Sequence, residues 1–243
     1  MTLLGYLFGN VATSERKELR KKGSGFVGSF SDDGSGWQYS DQYPSLSGRR
    51  WVANLGLSRG ELSVEGATEY DPGFRSALIE MVAQYPELLT LDVRFDGARI
   101  PIKTLVTSRI PAIEEMSWLH GTSSAALPLI MAAGLSPRGE TGAAAVFVGA
   151  AGPSRPEYVY LTTQSTMAHF AARAAARSTG GVPVVLRISP LSVSRMHPDE
   201  DSGVATAEES FWRIGAVAYR GSIPPSKIAV DEVMKSGEWE KVS

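Results

Sequence analysis

The 243-residue sequence contains no cysteine and only three histidines, His120, His169 and His197. Without cysteine there are no disulfide bonds, no thiolate metal ligands and no cysteine nucleophile. The three histidines do not have the spacing of metal ligands on one helix. The sequence therefore predicts no metal site.

Long apolar runs and a strong net charge are also missing. No stretch reaches the roughly 20 apolar residues that cross a bilayer, and no basic residues precede the briefly apolar start, so we expect neither a membrane span nor a signal peptide. The net charge of −2 gives no global electrostatic reason to bind nucleic acid or an anionic membrane. These features favour a soluble, cytoplasmic protein.

The glycine-rich loops of two common nucleotide-binding folds are absent as well. No Gly-x-Gly-x-x-Gly and no Walker-type loop occurs, which argues against Rossmann and P-loop folds. Short predicted strands with few intervening helices indicate an α+β protein rather than a doubly wound sheet. The connector-like stretch 106–115 predicts a boundary between an N-terminal α+β region, residues 1–110, and a second domain, residues 111–243.

Patterns in the N-terminal region predict a few elements. Residues 13–22 read as a short charged helix, and residues 23–48 as loop or irregular β-structure. Asp71 followed by Pro72 predicts the start of a helix. Alternating apolar residues from Leu89 onward, on both sides of Asp96-Gly97, predict a hairpin whose second strand, with Pro101, lies at a sheet edge.

The second domain has a regular series of predicted elements. We expect strands at 118–120, 158–161, 182–188 and 214–219, a helix at 125–133 that Gly134 ends, and an alanine-rich helix that Ser165 caps and that runs through Arg177.

Several of these segments carry recognisable runs. They are WLHGTS at 118–123, a helix ending in Gly-Leu at 134–135, YVYLTT at 158–163, PVVLRI at 183–188 and GSIPPSKI at 221–228. Their order resembles the ADP-ribosyltransferase superfamily, and the layout is nearest to its RNA 2′-phosphotransferase-like branch. The resemblance covers residues 116–230. It implies an ADP-ribosyltransferase-like split β-sheet core with short helices.

This resemblance implies that NAD is a co-substrate and that ADP-ribose is transferred with release of nicotinamide. His120 would hydrogen-bond a ribose hydroxyl of the dinucleotide. The backbone of Gly121 would hold the nicotinamide amide, because glycine has no Cβ to block close approach. The ring of Tyr160 would lie against the cationic nicotinamide.

Other residues follow from the same resemblance. The remaining candidates for cofactor binding are Thr122, Ser123, Arg138, Thr162 and Phe170, the last supplying a second ring. The resemblance also implies a glutamate at the start of a late strand, which would bond the nicotinamide ribose and orient the acceptor. For this third catalytic position we favour Glu209, while Glu208 and an apolar residue near Val217 stay open. Arg173 and Arg187 are further candidates for phosphate contact.

The acceptor is unidentified and could be a protein, a nucleic acid or a small molecule. One alternative function is an NAD-dependent RNA 2′-phosphotransferase, although that branch has a histidine where this chain has Tyr160. Another is a non-catalytic module that binds NAD or ADP-ribose. Basic residues of the N-terminal region could contact nucleic acid; they are Arg16, Lys17, Arg20, Lys21, Lys22, Arg49 and Arg50.

Overall fold

A computed structural model describes most of the chain as two compact units, Met1–Ile110 and Pro111–Ser243. The described residues are 18–20, 26–30, 37–42, 50–56, 61–65, 67–84, 86–95, 98–142, 148–149 and 152–242. Each unit contains a seven-stranded sheet together with helices. The predicted α+β class is confirmed.

The sheet of the first unit follows the order of the chain. Its strands are β1 (Glu18–Arg20), β2 (Phe26–Phe30), β3 (Trp37–Gln42), β4 (Arg50–Gly56), β5 (Glu61–Glu65), β6 (Asp92–Phe95) and β7 (Ala98–Pro101). All neighbours are antiparallel except β5 and β6, which are parallel. A parallel pair needs a crossover connection. Helix α1 (Pro72–Gln84) and a 3₁₀ helix (Pro86–Thr90) lie in this connection.

Helix α1 begins where the sequence predicts, because Asp71 caps it. The Asp71 carboxylate accepts a hydrogen bond of 2.9 Å from the backbone N–H of Phe74, which satisfies a donor that has no partner inside the helix. The helix packs its apolar side on the sheet. The core of this unit contains Leu62, Val64, Phe74, Leu78, Leu88, Val93, Phe95, Ile102 and Leu105.

The two strands of the predicted hairpin are present and pair with each other. Phe95 pairs with Ala98 between β6 and β7, β7 is the edge strand, and Asp96-Gly97 lies outside the described residues. The start was wrong, since Leu89 belongs to the 3₁₀ helix. Helix α2 (Ile102–Thr107) follows β7 directly.

The predicted helix over 13–22 is wrong at its centre. Glu18–Arg20 is strand β1 and pairs with β2. Local charge pattern is a weak guide when a neighbouring strand can satisfy the backbone hydrogen bonds. The expectation of irregular β-structure after residue 23 agrees with β2 and β3. The basic residues Arg16, Lys17, Lys21, Lys22 and Arg49 lie outside the described residues.

The second unit is built on an antiparallel sheet in the order β13-β14-β11-β8-β12-β15-β16. These strands are β8 (Trp118–Ser123), β11 (Tyr158–Thr162), β12 (Pro183–Ile188), β13 (Met196–Pro198), β14 (Ala216–Arg220), β15 (Ile228–Lys235) and β16 (Glu238–Lys241); β9 (Val148–Gly149) and β10 (Gly152–Pro153) form a separate pair. The helices are α3 (Leu127–Ala133), α4 (Arg138–Thr141), α5 (Ser165–Thr179) and α6 (Ala207–Ile214).

Two predicted boundaries in this unit need correction. The strand expected from Ile214 begins at Ala216, because Gly215 takes a left-handed φ of +63° and ends helix α6 one residue earlier. Ser165 is the first residue of α5 rather than its cap. The preceding Gln164 is in the cap position, and its N–H donates to the Thr162 hydroxyl.

Neither membrane spans nor clustered metal ligands are found among the described residues. No helix there has the length and apolarity that crossing a bilayer requires. No group of three or more histidine, aspartate or glutamate side chains in that part of the chain could hold a metal ion.

A charge network ties β15 to β16 and β12. Asp231, which is buried, accepts hydrogen bonds from Arg187 at 2.7 Å and from Lys241 at 2.9 Å. Lys241 also contacts Glu232, whose carboxylate is bonded to His169. Burial alone would raise the pKa values of Asp231 and Glu232, but these cationic partners outweigh it and lower both.

We therefore expect the network to stabilise the fold at neutral pH and to lose this effect in acid. A carboxylate whose pKa is lower in the folded state contributes stability above its unfolded value, about 4, and loses it as the pH falls through the folded value. Asp231→Asn should lower the free energy of unfolding by about 1 kcal/mol at pH 7. Denaturant titrations should show this difference shrinking below about pH 4; a difference independent of pH would contradict the assignment.

Candidate active site at the split between two strands

The central strands β8 and β11 pair at one position only. Leu119 lies opposite Thr162, and beyond this pair the strands separate. Each is fully paired on its other side, β8 with β12 and β11 with β14. Two unpaired strand edges therefore face each other in the middle of the sheet.

A cavity of about 530 Å³ lies at this split. Consecutive residues of both strands line it, 119–122 from β8 and 158–162 from β11. Since successive side chains of a strand point to opposite faces, a run of consecutive lining residues means that the strand edge borders the cavity. Its volume falls in the range of roughly 300–1,000 Å³ typical of small-molecule sites.

His120 bridges the split. Its Nδ1 lies 2.9 Å from the backbone carbonyl oxygen of Tyr160. Burial lowers the pKa of His120, and the carbonyl contact only partly opposes this. A neutral ring next to a carbonyl oxygen must carry its proton on Nδ1, which leaves Nε2 as an acceptor. That acceptor suits a hydroxyl donor, which is the partner that the resemblance gives to His120.

Tyr160 lines the cavity with its hydroxyl fully engaged. The hydroxyl donates to the Glu200 carboxylate, whose two oxygens lie 2.8 and 2.9 Å away, and accepts from the backbone N–H of Arg155 at 2.8 Å. Burial, with the charge of Glu200, raises the pKa of Tyr160 well above its usual value. The side chain is thus a neutral phenol that cannot serve as a base.

Gly121 is required for a different reason than the resemblance implies. A Cβ at this position would lie 2.3 Å from the carbonyl oxygen of Ala168 and 2.4 Å from the backbone nitrogen of Ala172. Both atoms belong to the backbone of α5, which packs directly on β8. The missing Cβ makes room for the helix, in the space that the resemblance gives to nicotinamide.

The neighbouring hydroxyl residues differ in their positions. Thr122 lines the cavity. Ser123 is buried outside the described lining, where its hydroxyl bonds that of Thr179 at 2.7 Å and ties β8 to the end of α5. Thr162 borders the cavity, but its hydroxyl donates to the carbonyl of Gly215 at 3.0 Å and thereby links β11 to the end of α6.

Of the three candidate arginines, only Arg138 is among the described residues that line the cavity. Its guanidinium also donates to the carbonyl of Ser154. Arg187 is bound to Asp231 in the charge network, and Arg173 lies over the ring of Trp239 at 5.8 Å. Among the described residues, Arg138 is therefore the candidate arginine that a ligand in this cavity could contact.

The Phe170 ring does not lie at the cavity, where the resemblance would require a second aromatic ring. It is 54% exposed and is not among the described lining residues. The face of α5 toward the cavity carries small or flexible residues instead; it consists of Met167, Ala168, Ala171, Ala175, Ser178 and Thr179.

Glu208 and Glu209 lie in the first turn of α6 and not at the start of a strand. The backbone N–H of Glu209 donates to the Thr206 hydroxyl, and its carboxylate accepts from the N–H of Ala205. This is close to a capping box, but the glutamate accepts from the N–H of the residue before the cap residue Thr206. Neither glutamate is among the described lining residues, and Val217 is buried in the sheet, while Ala216 borders the cavity.

The acidic side chains at the cavity come from a segment that was not predicted from the sequence to be part of the site. Asp199, Glu200 and Asp201 all line it. They occupy the turn that follows β13, where the side chain of Asp199 accepts from the N–H of Asp201 at 2.9 Å. Burial raises the pKa of Asp199, and the charges of Asp201 and Glu200 add to this effect. The only signal in the sequence was three consecutive acids after His197-Pro198.

A second, more open groove of about 600 Å³ borders α4 and the segment before β11. It carries charges of both signs, from Glu140, Glu157, Arg195 and Arg220. Neither His120 nor Tyr160 lines it. We therefore place the candidate site in the smaller cavity, where side chains and strand edges converge.

Comparison with known proteins adds no assignment. No protein-family model matches the chain, and no curated protein matches its sequence.

Gly121→Ala should disrupt the contact between β8 and α5. The new methyl group would overlap backbone atoms that cannot move without shifting the helix, so we expect a loss of roughly 3 kcal/mol in the free energy of unfolding. Gly142→Ala is the matched control, because its Cβ meets nothing within 4 Å although its φ is +69°. It should lose only about 1 kcal/mol. Equal losses for the two variants, measured by denaturant titration, would contradict this role of Gly121.

The tautomer of His120 can be observed directly by ¹⁵N NMR. We expect a ring protonated on Nδ1 that titrates below 6.5, its ordinary pKa, because the buried ring resists a positive charge. The ¹⁵N signals of His120 are identified as those that disappear in the His120→Asn variant. A proton on Nε2 at neutral pH would show that the bridge to Tyr160 is absent. A midpoint above 6.5 would show that burial does not dominate the pKa of His120.

Proposed function

We propose that this protein is an NAD-dependent ADP-ribosyltransferase that transfers ADP-ribose to an acceptor and releases nicotinamide. The observation that carries the proposal is the convergence of His120 and Tyr160 at one cavity. The two residues are 40 positions apart in the chain, and a hydrogen bond of 2.9 Å joins them across the split. The resemblance at residues 116–230 supplies the family, with an ADP-ribosyltransferase-like split sheet as the expected core.

The reaction fits a cavity of this character. An acceptor group attacks C1′ of the nicotinamide ribose, the glycosidic C–N bond breaks, nicotinamide leaves as a neutral molecule, and the acceptor loses one proton. Positive charge develops on the ribose while the bond breaks, so the site must orient the dinucleotide and stabilise that charge. An aromatic face and nearby carboxylates both favour a cationic centre.

Each group has a role that its contacts allow. The Nε2 acceptor of His120 takes a ribose hydroxyl, and the ring of Tyr160 lies against nicotinamide. Arg138 contacts the pyrophosphate, for which a guanidinium is well suited. In place of Glu209, the acidic turn 199–201 provides the negative charge of the site.

A second candidate is a module that binds NAD or ADP-ribose without turnover. The position of Glu209 favours it, because the carboxylate expected to orient the acceptor lies in a helix cap. The two candidates share the ligand and differ in the production of nicotinamide.

The direct test is to measure NAD binding by calorimetry and nicotinamide release by chromatography, with labelled NAD and protein, DNA, RNA and small-molecule acceptors. A 2′-phosphorylated oligonucleotide is included, since NAD-dependent loss of its phosphate would identify a phosphotransferase instead. Tyr160→Ala should weaken NAD binding at least roughly tenfold, because the aromatic contact with the nicotinamide cation is lost.

Met131→Ala is the control for this variant, since Met131 is 43% exposed on α3 and is not among the described lining residues. It should leave NAD affinity unchanged. Binding without nicotinamide release over long incubation would favour the non-catalytic module. No binding and no release by the wild-type protein would remove both candidates.

A further inference from the structure

Tyr160 is held both at its backbone and at the tip of its side chain. At the backbone its carbonyl accepts from His120 at 2.9 Å. At the tip its hydroxyl donates to Glu200 and accepts from the N–H of Arg155. A phenol has one proton to donate, and here Glu200 takes it.

Glu200 is itself held in a defined place. Its carboxylate forms an ion pair of 3.0 Å with Nε of Arg155. The backbone N–H of Asp199 donates to the Ser210 hydroxyl at 3.1 Å, which ties the turn to α6. Within the turn, the Ser202 hydroxyl donates to the carbonyl of Asp199 at 2.6 Å. The acceptor of the Tyr160 proton is therefore preorganised.

Burial makes this contact more important than the ion pair beside it. The Glu200 side chain is 21% exposed, whereas that of Arg155 is 60% exposed. An exposed ion pair contributes little because water screens it. A hydrogen bond from a half-buried hydroxyl to a carboxylate is stronger, and its loss leaves a polar group without a partner.

We propose that Glu200 is a positioning residue that holds the Tyr160 ring in the orientation in which it meets the ligand. It acts through the tyrosine hydroxyl and not on the substrate itself. This inference rests on the proposed function for the identity of the ligand, nicotinamide of NAD.

The consequence is a ring that needs no reordering when the ligand binds. A free tyrosine side chain loses rotamer freedom on stacking, and that loss weakens binding. Because the Tyr160 hydroxyl is already hydrogen-bonded to Glu200 in the free protein, this rotamer freedom is lost on folding and not on ligand binding. Arg155 helps through its backbone N–H, which a side-chain substitution keeps.

The experiment compares Glu200→Ala, Glu200→Gln and Tyr160→Phe in the full chain, with NAD affinity and nicotinamide release as readouts. Glu200→Ala should lower NAD affinity and kcat/KM by roughly tenfold or more. Glu200→Gln keeps an acceptor oxygen and should stay within about threefold of the wild-type protein. Tyr160→Phe should match Glu200→Ala, because each removes one partner of the same hydrogen bond.

The double variant Glu200→Ala with Tyr160→Phe is decisive. If Glu200 acts through the hydroxyl, the double variant should be no worse than either single variant, since coupled partners are not additive. Multiplied losses would mean that Glu200 acts in another way and would overturn the inference. A wild-type level of binding in Glu200→Ala would overturn it as well.

Two controls separate positioning from general damage. Arg155→Met removes the ion pair but keeps the backbone N–H, and it should change NAD affinity less than threefold. Glu114→Ala makes the same charge change at an exposed residue outside the described lining, and it should have no effect. Thermal unfolding of every variant checks that the fold is intact.

A measurement without NAD distinguishes failure of this inference from failure of the proposed function. In tyrosine-labelled protein, NMR should show the Tyr160 ring flipping faster in Glu200→Ala than in the wild-type protein, with Glu200→Gln in between. If the wild-type protein does not bind NAD, the proposed function fails, yet the flip rates still decide whether Glu200 holds the ring. Equal flip rates in all three proteins would overturn the inference.

Discussion

The separation of β8 from β11 after a single paired position determines most of what this domain presents to a ligand. In an ordinary antiparallel pair the backbone groups of the two edges would satisfy each other. Here the pairing stops after Leu119 and Thr162, and the imidazole of His120 takes the carbonyl of Tyr160. One side chain thus replaces a missing ladder bond, and the space between the edges becomes the cavity.

Helix α5 keeps this opening in the sheet stable. Its backbone packs on β8 at Gly121, closer than any residue with a Cβ would permit, and Ala168 and Ala172 are almost fully buried against Val185. Small residues allow the close approach, and the same small residues continue along the face that lines the cavity. The helix therefore supports the strand without filling the space beside it, where larger side chains would gain packing energy but close the site.

Charge is distributed around the cavity in a way that suits a ligand with a cationic centre and anionic groups. The acidic turn 199–201 comes from beyond β13, and Arg138 comes from α4. The ring of Tyr160 lies between two anchors, His120 at the backbone and Glu200 at the hydroxyl. Its phenol stays neutral, because burial and the charge of Glu200 raise its pKa.

Local chemistry in the sequence was enough to predict many of the elements. The cap of Asp71, the stop at Gly134, the apolar run of β12 and the α+β class depend on interactions between near neighbours in the chain, so they can be read from local patterns. His120 and Tyr160 could be proposed as partners only from the order of motifs. That order says nothing about distance, which needed the fold.

Tertiary structure decided the rest, because it depends on contacts between residues far apart in the chain. Helix α6, which begins after Thr206, holds Glu209 in its first turn, and Phe170 of α5 is turned away from the cavity. The turn after β13 brought Glu200 to the hydroxyl of Tyr160, 40 residues distant. Sequence by itself determined which residue types were available for the chemistry. Only the folded sheet, by leaving two strand edges unpaired, determined which of them share a cavity.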